Sequence, residues 1–189
     1  MPVPPPNSLG EIGRRRFLRL AAGGVVAAAS LAAFFRTRGY HLTAEARAKL
    51  VVLAPWQFIV VEHAARRIAA PDRPDTGIPT PDELDVAGFV DTYVSRLPAA
   101  KRRDLGRLFA YLEHVAPLRL ALASRFSKLA PPDQDRVLAS LESSEEPLLR
   151  GGFEGLKALV FMGYYRHPRT WKLLDYAGPW VDRPETGWW

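Results

Sequence analysis

Residues 80–97 read TPDELDVAGFVDTYVSRL, and this stretch decides the fold class. Thr80 can accept from a backbone N–H, Glu83 can reach back to it, and Pro81 stands where a missing N–H costs nothing. That is the sequence signature of a helix start. Val86, Phe89, Val90, Tyr93, Val94 and Leu97 then recur at intervals of three and four, so one face of this helix is buried.

The same period extends in both directions. His41 to Ala70 is a helical run that ends in a Pro-, Asp- and Gly-dense loop, APDRPDTGIPTPDE, with a solvated acidic cluster at Asp72, Asp75, Asp82, Glu83 and Asp85. From about Ala100 to Leu129 runs a long helical pattern with Leu105, Leu108, Phe109, Leu112 and Val115 inward, which Pro117 should kink or split. Pro131 opens a short helix reaching Leu141, Pro147 to Tyr165 forms another, and His167-Pro168 starts a last short one towards Leu174. No stretch alternates with period two over a useful length. The expected architecture is all-α, a compact multi-helix domain with an extended aromatic-rich C-terminal tail.

The chain has 189 residues, 48% hydrophobic and 24% charged, with a formal charge of +6. That charge is unevenly placed. Residues 1–38 hold six arginines against Glu11, a net +5, which leaves +1 for residues 39–189. The folded part therefore carries no overall basic excess, and nucleic acid is not an expected partner. The chain contains no cysteine, so disulfides, thiolate metal sites, Fe–S clusters and covalent haem attachment are excluded. A domain of about 150 residues buries roughly 68–70% of its unfolded surface and needs none of them to fold.

Residues 13–35, GRRRFLRLAAGGVVAAASLAAFF, have the layout of a twin-arginine export signal. Arg14 and Arg15 supply the pair, Phe17 and Leu18 the apolar couple, and a weakly apolar run follows that is shorter than a spanning helix. Two domains are expected: residues 1–38 as signal, residues 39–189 as the helical body.

No catalytic, cofactor-binding or metal-binding residue is expected in this chain. Glu62-His63 and Glu113-His114 are adjacent pairs, about 100° apart on a helix, and cannot share one metal. No Gly-x-Ser-x-Gly, phosphate loop or dinucleotide fingerprint occurs. The aromatic residues at the C-terminal end carry more information. Tyr164, Tyr165, Trp171, Tyr176, Trp180, Trp188 and Trp189 combine large apolar area with a polar handle and are the candidate partner-binding residues.

Within that end, VFMGYYRHPRTWKLLDYAGPW (160–180) resembles the C-terminal signature of the gluconate 2-dehydrogenase subunit 3 family, through Gly163, Tyr164, Tyr165, Pro168, Tyr176, Gly178, Pro179 and Trp180. DVAGFVDTYVSRLP (85–98) is similar to the family's first core helix and DTGIP (75–79) to the loop before it. The resemblance covers roughly residues 43–184, and the stretch LVVLAPWQFIVVEHAARRI (50–68) departs from the family's usual helix. It implies a small, non-catalytic subunit of a membrane-associated dehydrogenase. An FAD-containing large subunit would oxidise a sugar, sugar acid or alcohol, and a cytochrome c subunit carrying haem would take the electrons. The small subunit would engage the twin-arginine translocase, escort the flavoprotein to the periplasm or the periplasmic face of the inner membrane, and help it mature. The competing expectation is a free-standing, membrane-anchored envelope binding protein.

Overall fold

The computed structural model describes residues 39–69 and 77–178. Residues 41–189 form one compact unit and residues 1–40 another. Among the described residues every regular element is helical. Helix α1 spans Ala44–Ala48, α2 Pro55–Ile68, α3 Val86–Ser95, and α4 Ala99–Ala110. A π-helical turn, Tyr111–Val115, links α4 to α5, Ala116–Arg119. After a 3-10 turn at Phe126–Lys128 come α6, Pro131–Glu142, and α7, Pro147–Tyr165. Helix α8, Pro168–Trp171, runs into a second 3-10 turn, Lys172–Leu174. The all-α expectation holds.

Proline sets many of these starts. Pro55, Pro131, Pro147 and Pro168 each occupy the first turn of a helix, where no intrahelical donor is lost. The Thr80 device forms as well: the Glu83 amide donates to Thr80 Oγ1 at 3.3 Å and the Thr80 amide to Glu83 Oε2 at 3.2 Å. It organises a turn over residues 81–85 rather than the helix itself. Asp85 then takes a left-handed conformation, φ +48°, and caps α3 by accepting from the Gly88 amide. Asp tolerates that conformation better than most residues.

Helix α2 lies at the centre, packed against α3, α4, α6 and α7. It buries Val60, Val61, Ala64 and Ala65. Leu156 and Val160 of α7, Val90 of α3, Phe109 and Leu112 near the π turn, Phe126 and Val137 complete a continuous core.

Two sequence expectations are corrected. The run from His41 to Ala70 is broken at residues 49–54, because the amides of Val51, Val52 and Leu53 turn towards the Asp91 carboxylate of α3, at 2.6, 3.0 and 2.7 Å. Asp91 is 2% exposed, and those three donors satisfy a charge that burial alone would make costly. The pattern from Ala100 to Leu129, expected to be kinked or split in two by Pro117, is interrupted by the π turn just before Pro117 and does not continue as a helix to Leu129. The Ala116 amide bonds back to the Tyr111 carbonyl five residues earlier. That wider turn accommodates the missing donor and the ring of Pro117, and the helix stops at Arg119. The amides of Leu120 and Leu122 both return to the Pro117 carbonyl, and the chain reverses. Glu113, fully buried in the π turn, accepts from the Ser127 amide (2.9 Å) and hydroxyl (2.6 Å), with Arg125 Nε at 3.4 Å.

Candidate partner-binding surface

Helix α7, the longest among the described residues, has two apolar faces. The inner one carries Phe153, Leu156, Val160, Gly163 and Tyr164, all buried. Gly163 is where α7 meets α3. A methyl there would stand 2.8 Å from Phe89 Cδ1 and 3.1 Å from Val86 Cγ1, so only glycine allows this approach. Tyr164 is 3% exposed and its hydroxyl donates to the Pro79 carbonyl at 2.8 Å. Of the expected partner-binding residues, Tyr164 therefore lies in the core: it ties α7 to the loop before α3. The spacing of Phe153, Leu156, Val160 and Tyr164 already carried that signal.

Tyr165, one residue on, turns outward and is 38% exposed. It stacks edge-on to Tyr164 (centroids 5.2 Å) and lies 5.8 Å from Phe161. The Trp171 indole donates to the Tyr165 carbonyl at 2.9 Å, capping the end of α7. Trp171 is half-buried, and Tyr176 meets its ring edge-on at 5.5 Å. Gly178, φ +106°, passes close to Trp171, where a Cβ would stand 3.0 Å from the ring. Two ring groups, Tyr165 with Tyr164 and Phe161, and Trp171 with Tyr176, are thus joined into one cluster through the Trp171 bond to the Tyr165 carbonyl, with Met162 and Leu174 also exposed. Arg14, Arg15, Phe17, Leu18, Trp180, Trp188 and Trp189 lie outside the described residues.

A groove that the sequence reading did not anticipate borders this end of the molecule. Between α3 and the end of α7 opens a groove of about 220 Å³, lined by Asp85, Gly88, Phe89, Tyr93, Arg96 and Arg166 among others. The Arg166 guanidinium sits 4.8 Å over the Phe89 ring, a cation–π contact. Salt bridges tie the turn before α3 to its neighbours: Glu83 to Arg169 at 3.3 Å and Asp82 to Arg66 of α2 at 2.7 Å. The acidic cluster of the sequence is thus spent on caps and ion pairs where it is described.

Of the two Glu-His pairs, Glu62-His63 lies on α2 and is half-buried. His63 Nδ1 lies 3.0 Å from the Gln134 amide nitrogen, which also donates to the Phe126 carbonyl. Burial, then the positive charge of Arg66, lowers the pKa of His63. Burial raises that of Glu62, against the opposing pull of Arg66. Among the described residues no three His, Cys, Asp or Glu are grouped to hold a metal ion, and no helix is long and apolar enough to cross a membrane.

The family model described as gluconate 2-dehydrogenase subunit 3 matches residues 55–178. This chain belongs to the gluconate 2-dehydrogenase subunit 3 family. The match runs from the first residue of α2 to Gly178 beside Trp171, so it takes in the whole helical core and the described ring cluster. It is narrower at both ends than the 43–184 that the motifs imply. Membership of the gluconate 2-dehydrogenase subunit 3 family associates the chain with the other subunits of a dehydrogenase complex. No curated protein and no solved structure matches the chain.

Proposed function

We propose that this chain is the non-catalytic small subunit of a membrane-associated, flavin-dependent dehydrogenase acting on a sugar, sugar acid or alcohol. It carries the twin-arginine signal for the complex and escorts the FAD-containing large subunit to the periplasm, stabilising it as it matures. A cytochrome c subunit takes the electrons. The observation that carries this reading is the family match over the entire helical core, ending at a cluster of exposed rings. Exposed tyrosines beside a half-buried tryptophan are what an interface anchor requires. The flavin belongs in this reading to the large subunit. The α3/α7 groove, about 220 Å³, falls short of the roughly 300–1,000 Å³ usual for small-molecule sites.

The test is co-expression with the dehydrogenase large subunit. The intact chain carries the flavoprotein across the inner membrane and co-purifies with it. Arg14→Lys/Arg15→Lys leaves both inside. An active flavoprotein outside the membrane without this chain's signal sinks the reading.

A further inference from the structure

Helix α4 starts against the usual electrostatic order. Lys101, Arg102 and Arg103 stand among its first five residues, and its first turn holds no acid. A helix N-terminus favours negative charge, so cations there are locally unfavourable. Arg103 and Arg107 follow at i,i+4, a further like-charge repulsion. Arg102 has a structural use: its Nη1 donates to the carbonyls of Leu97 (2.9 Å) and Ser95 (3.3 Å), closing the end of α3. Lys101 and Arg103 have no such use. Both are exposed, as is Arg96 just ahead of α4, and among the described residues none of these three charges meets a carboxylate. The excess is concentrated here. Residues 96–107 hold five cations and Asp104, a net +4, while residues 39–189 as a whole carry +1, which leaves −3 for the remainder. From Val86 to Arg103 the only acid is Asp91, and it is buried under the amides of residues 51–53. An arrangement that costs local stability and serves no internal contact marks a surface kept for something outside the chain.

We propose that this cationic edge, formed by Arg96, Lys101, Arg103 and Arg107, docks on an anionic phospholipid surface. The segregation of charge carries the proposal. A positive edge on a body whose remainder is negative is drawn to such a surface in one orientation, with the acidic remainder held away from it. Lipid is favoured over an acidic protein by how the cations are held. Recognition of a protein carboxylate uses a guanidinium fixed in fork geometry. The one guanidinium fixed here is that of Arg102, and it is given to Leu97 and Ser95. Arg96, Lys101 and Arg103 reach out on long stems with no fixed contact, and a fluid layer of headgroups can rearrange to meet them. Their neighbours suit a flat surface. Pro98, Ala99 and Ala100 are exposed and short. Tyr93, which lines the α3/α7 groove with Arg96 and is 37% exposed, is the kind of ring that settles at a membrane–water interface. Each Lys or Arg close to an anionic bilayer contributes about fivefold to binding, and salt screens it. The docking is peripheral, concerns the helical body alone and does not depend on the dehydrogenase reading.

The test uses the full chain and vesicles of equal parts phosphatidylglycerol and phosphatidylcholine. Residues 1–38 carry +5 and an apolar run and are expected to adhere to such vesicles by themselves, so the readout is local. The chain has no cysteine. Ala100→Cys, on the proposed edge, and Ala139→Cys, on the exposed side of α6, each carry an environment-sensitive fluorophore. A blue shift is expected at Ala100→Cys and none at Ala139→Cys, with the shift lost in high salt and on vesicles of phosphatidylcholine alone. Adding Arg96→Gln/Lys101→Gln/Arg103→Gln weakens docking about a hundredfold and abolishes the shift. Arg47→Gln/Lys128→Gln/Lys172→Gln, which removes three exposed cations elsewhere, keeps it. Lys101→Gln/Arg103→Gln is the second variant: it relieves the helix start, so it melts no lower than wild type, and it weakens docking about twenty-fivefold. Equal shifts at the two probes, or none at Ala100→Cys, overturn the proposal. So does a shift that survives the Arg96, Lys101 and Arg103 changes, falls equally with the Arg47, Lys128 and Lys172 changes, or occurs on phosphatidylcholine alone. A shift that needs the large subunit and no vesicle assigns the edge to an acidic protein and overturns it as well.

Discussion

Replacing Asp91 by alanine should unfasten the segment that leads into α2. The carboxylate is 2% exposed and accepts from the amides of Val51, Val52 and Leu53. Val51 and Val52 are 61% and 41% exposed, so water can take up their amides once the carboxylate is gone. Each then forfeits only the net value of a bond to a charged acceptor, at the low end of about 1.5–3 kcal/mol. Leu53 is 6% exposed, and its orphaned amide costs about 1–3 kcal/mol. Relief of the buried charge offsets part of this. The net loss is about 3 kcal/mol, which in a domain of this size lowers Tm by roughly 6–12 °C. Asp91→Asn keeps one acceptor oxygen but turns an amide NH2 towards a donor, so it should fall between wild type and Asp91→Ala. Urea unfolding of the three proteins gives the order, and hydrogen exchange shows where the damage begins, at residues 49–54. A change within about 0.5 kcal/mol for Asp91→Ala, the size of an ordinary surface substitution, would refute the claim that this carboxylate organises the segment.

Gly163→Ala should lose about 1–3 kcal/mol because its methyl would press on Phe89 and Val86; denaturant melts check it, and Gly155→Ala, in open space, should be neutral or slightly stabilising. Glu113→Ala removes the acceptor of the buried Ser127 amide and hydroxyl and the carboxylate that faces Arg125 Nε, and should cost about 3–5 kcal/mol, seen as a fall in Tm. His63 has a folded-state pKa below its ordinary 6.5, so protonation favours the unfolded chain. Its contribution to stability is complete above about pH 6.5 and is lost as pH falls towards the lower folded value; urea midpoints at successive pH values should decline across that window, and His63→Gln should flatten the decline.

Much of the fold was legible because proline announces helix starts. Pro131, Pro147 and Pro168 gave boundaries that the structure reproduces closely. What could not be read were the places where distant groups decide local conformation. The break at residues 49–54 depends on Asp91, some forty positions away, and no local pattern marks it. The π turn accommodates Pro117, which the sequence shows, but the burial of Glu113 against Ser127 across the chain reversal is not something spacing reveals. For the site, the Gly-Tyr-Tyr motif was visible, but the two tyrosines divide. Tyr164 continues the inner period of α7 and is core; Tyr165 breaks it and faces out. The exposed outer face of α7 at Leu148, Gly151, Gly155, Ala158, Met162 and Tyr165 leaves no mark in the sequence, because glycine and alanine add little to an apolar period.

The central claim is that the ring cluster at the end of α7 grips a dehydrogenase subunit. It is tested most directly by tagging the full chain, co-expressing it with the large subunit, and measuring the mass of what elutes. We predict one complex containing both chains, abolished by Tyr165→Glu/Tyr176→Glu while the melting temperature of the small subunit stays within about 2 °C, since both rings are surface-exposed. A large subunit that elutes alone, loaded with flavin and active, beside a free small subunit would contradict it.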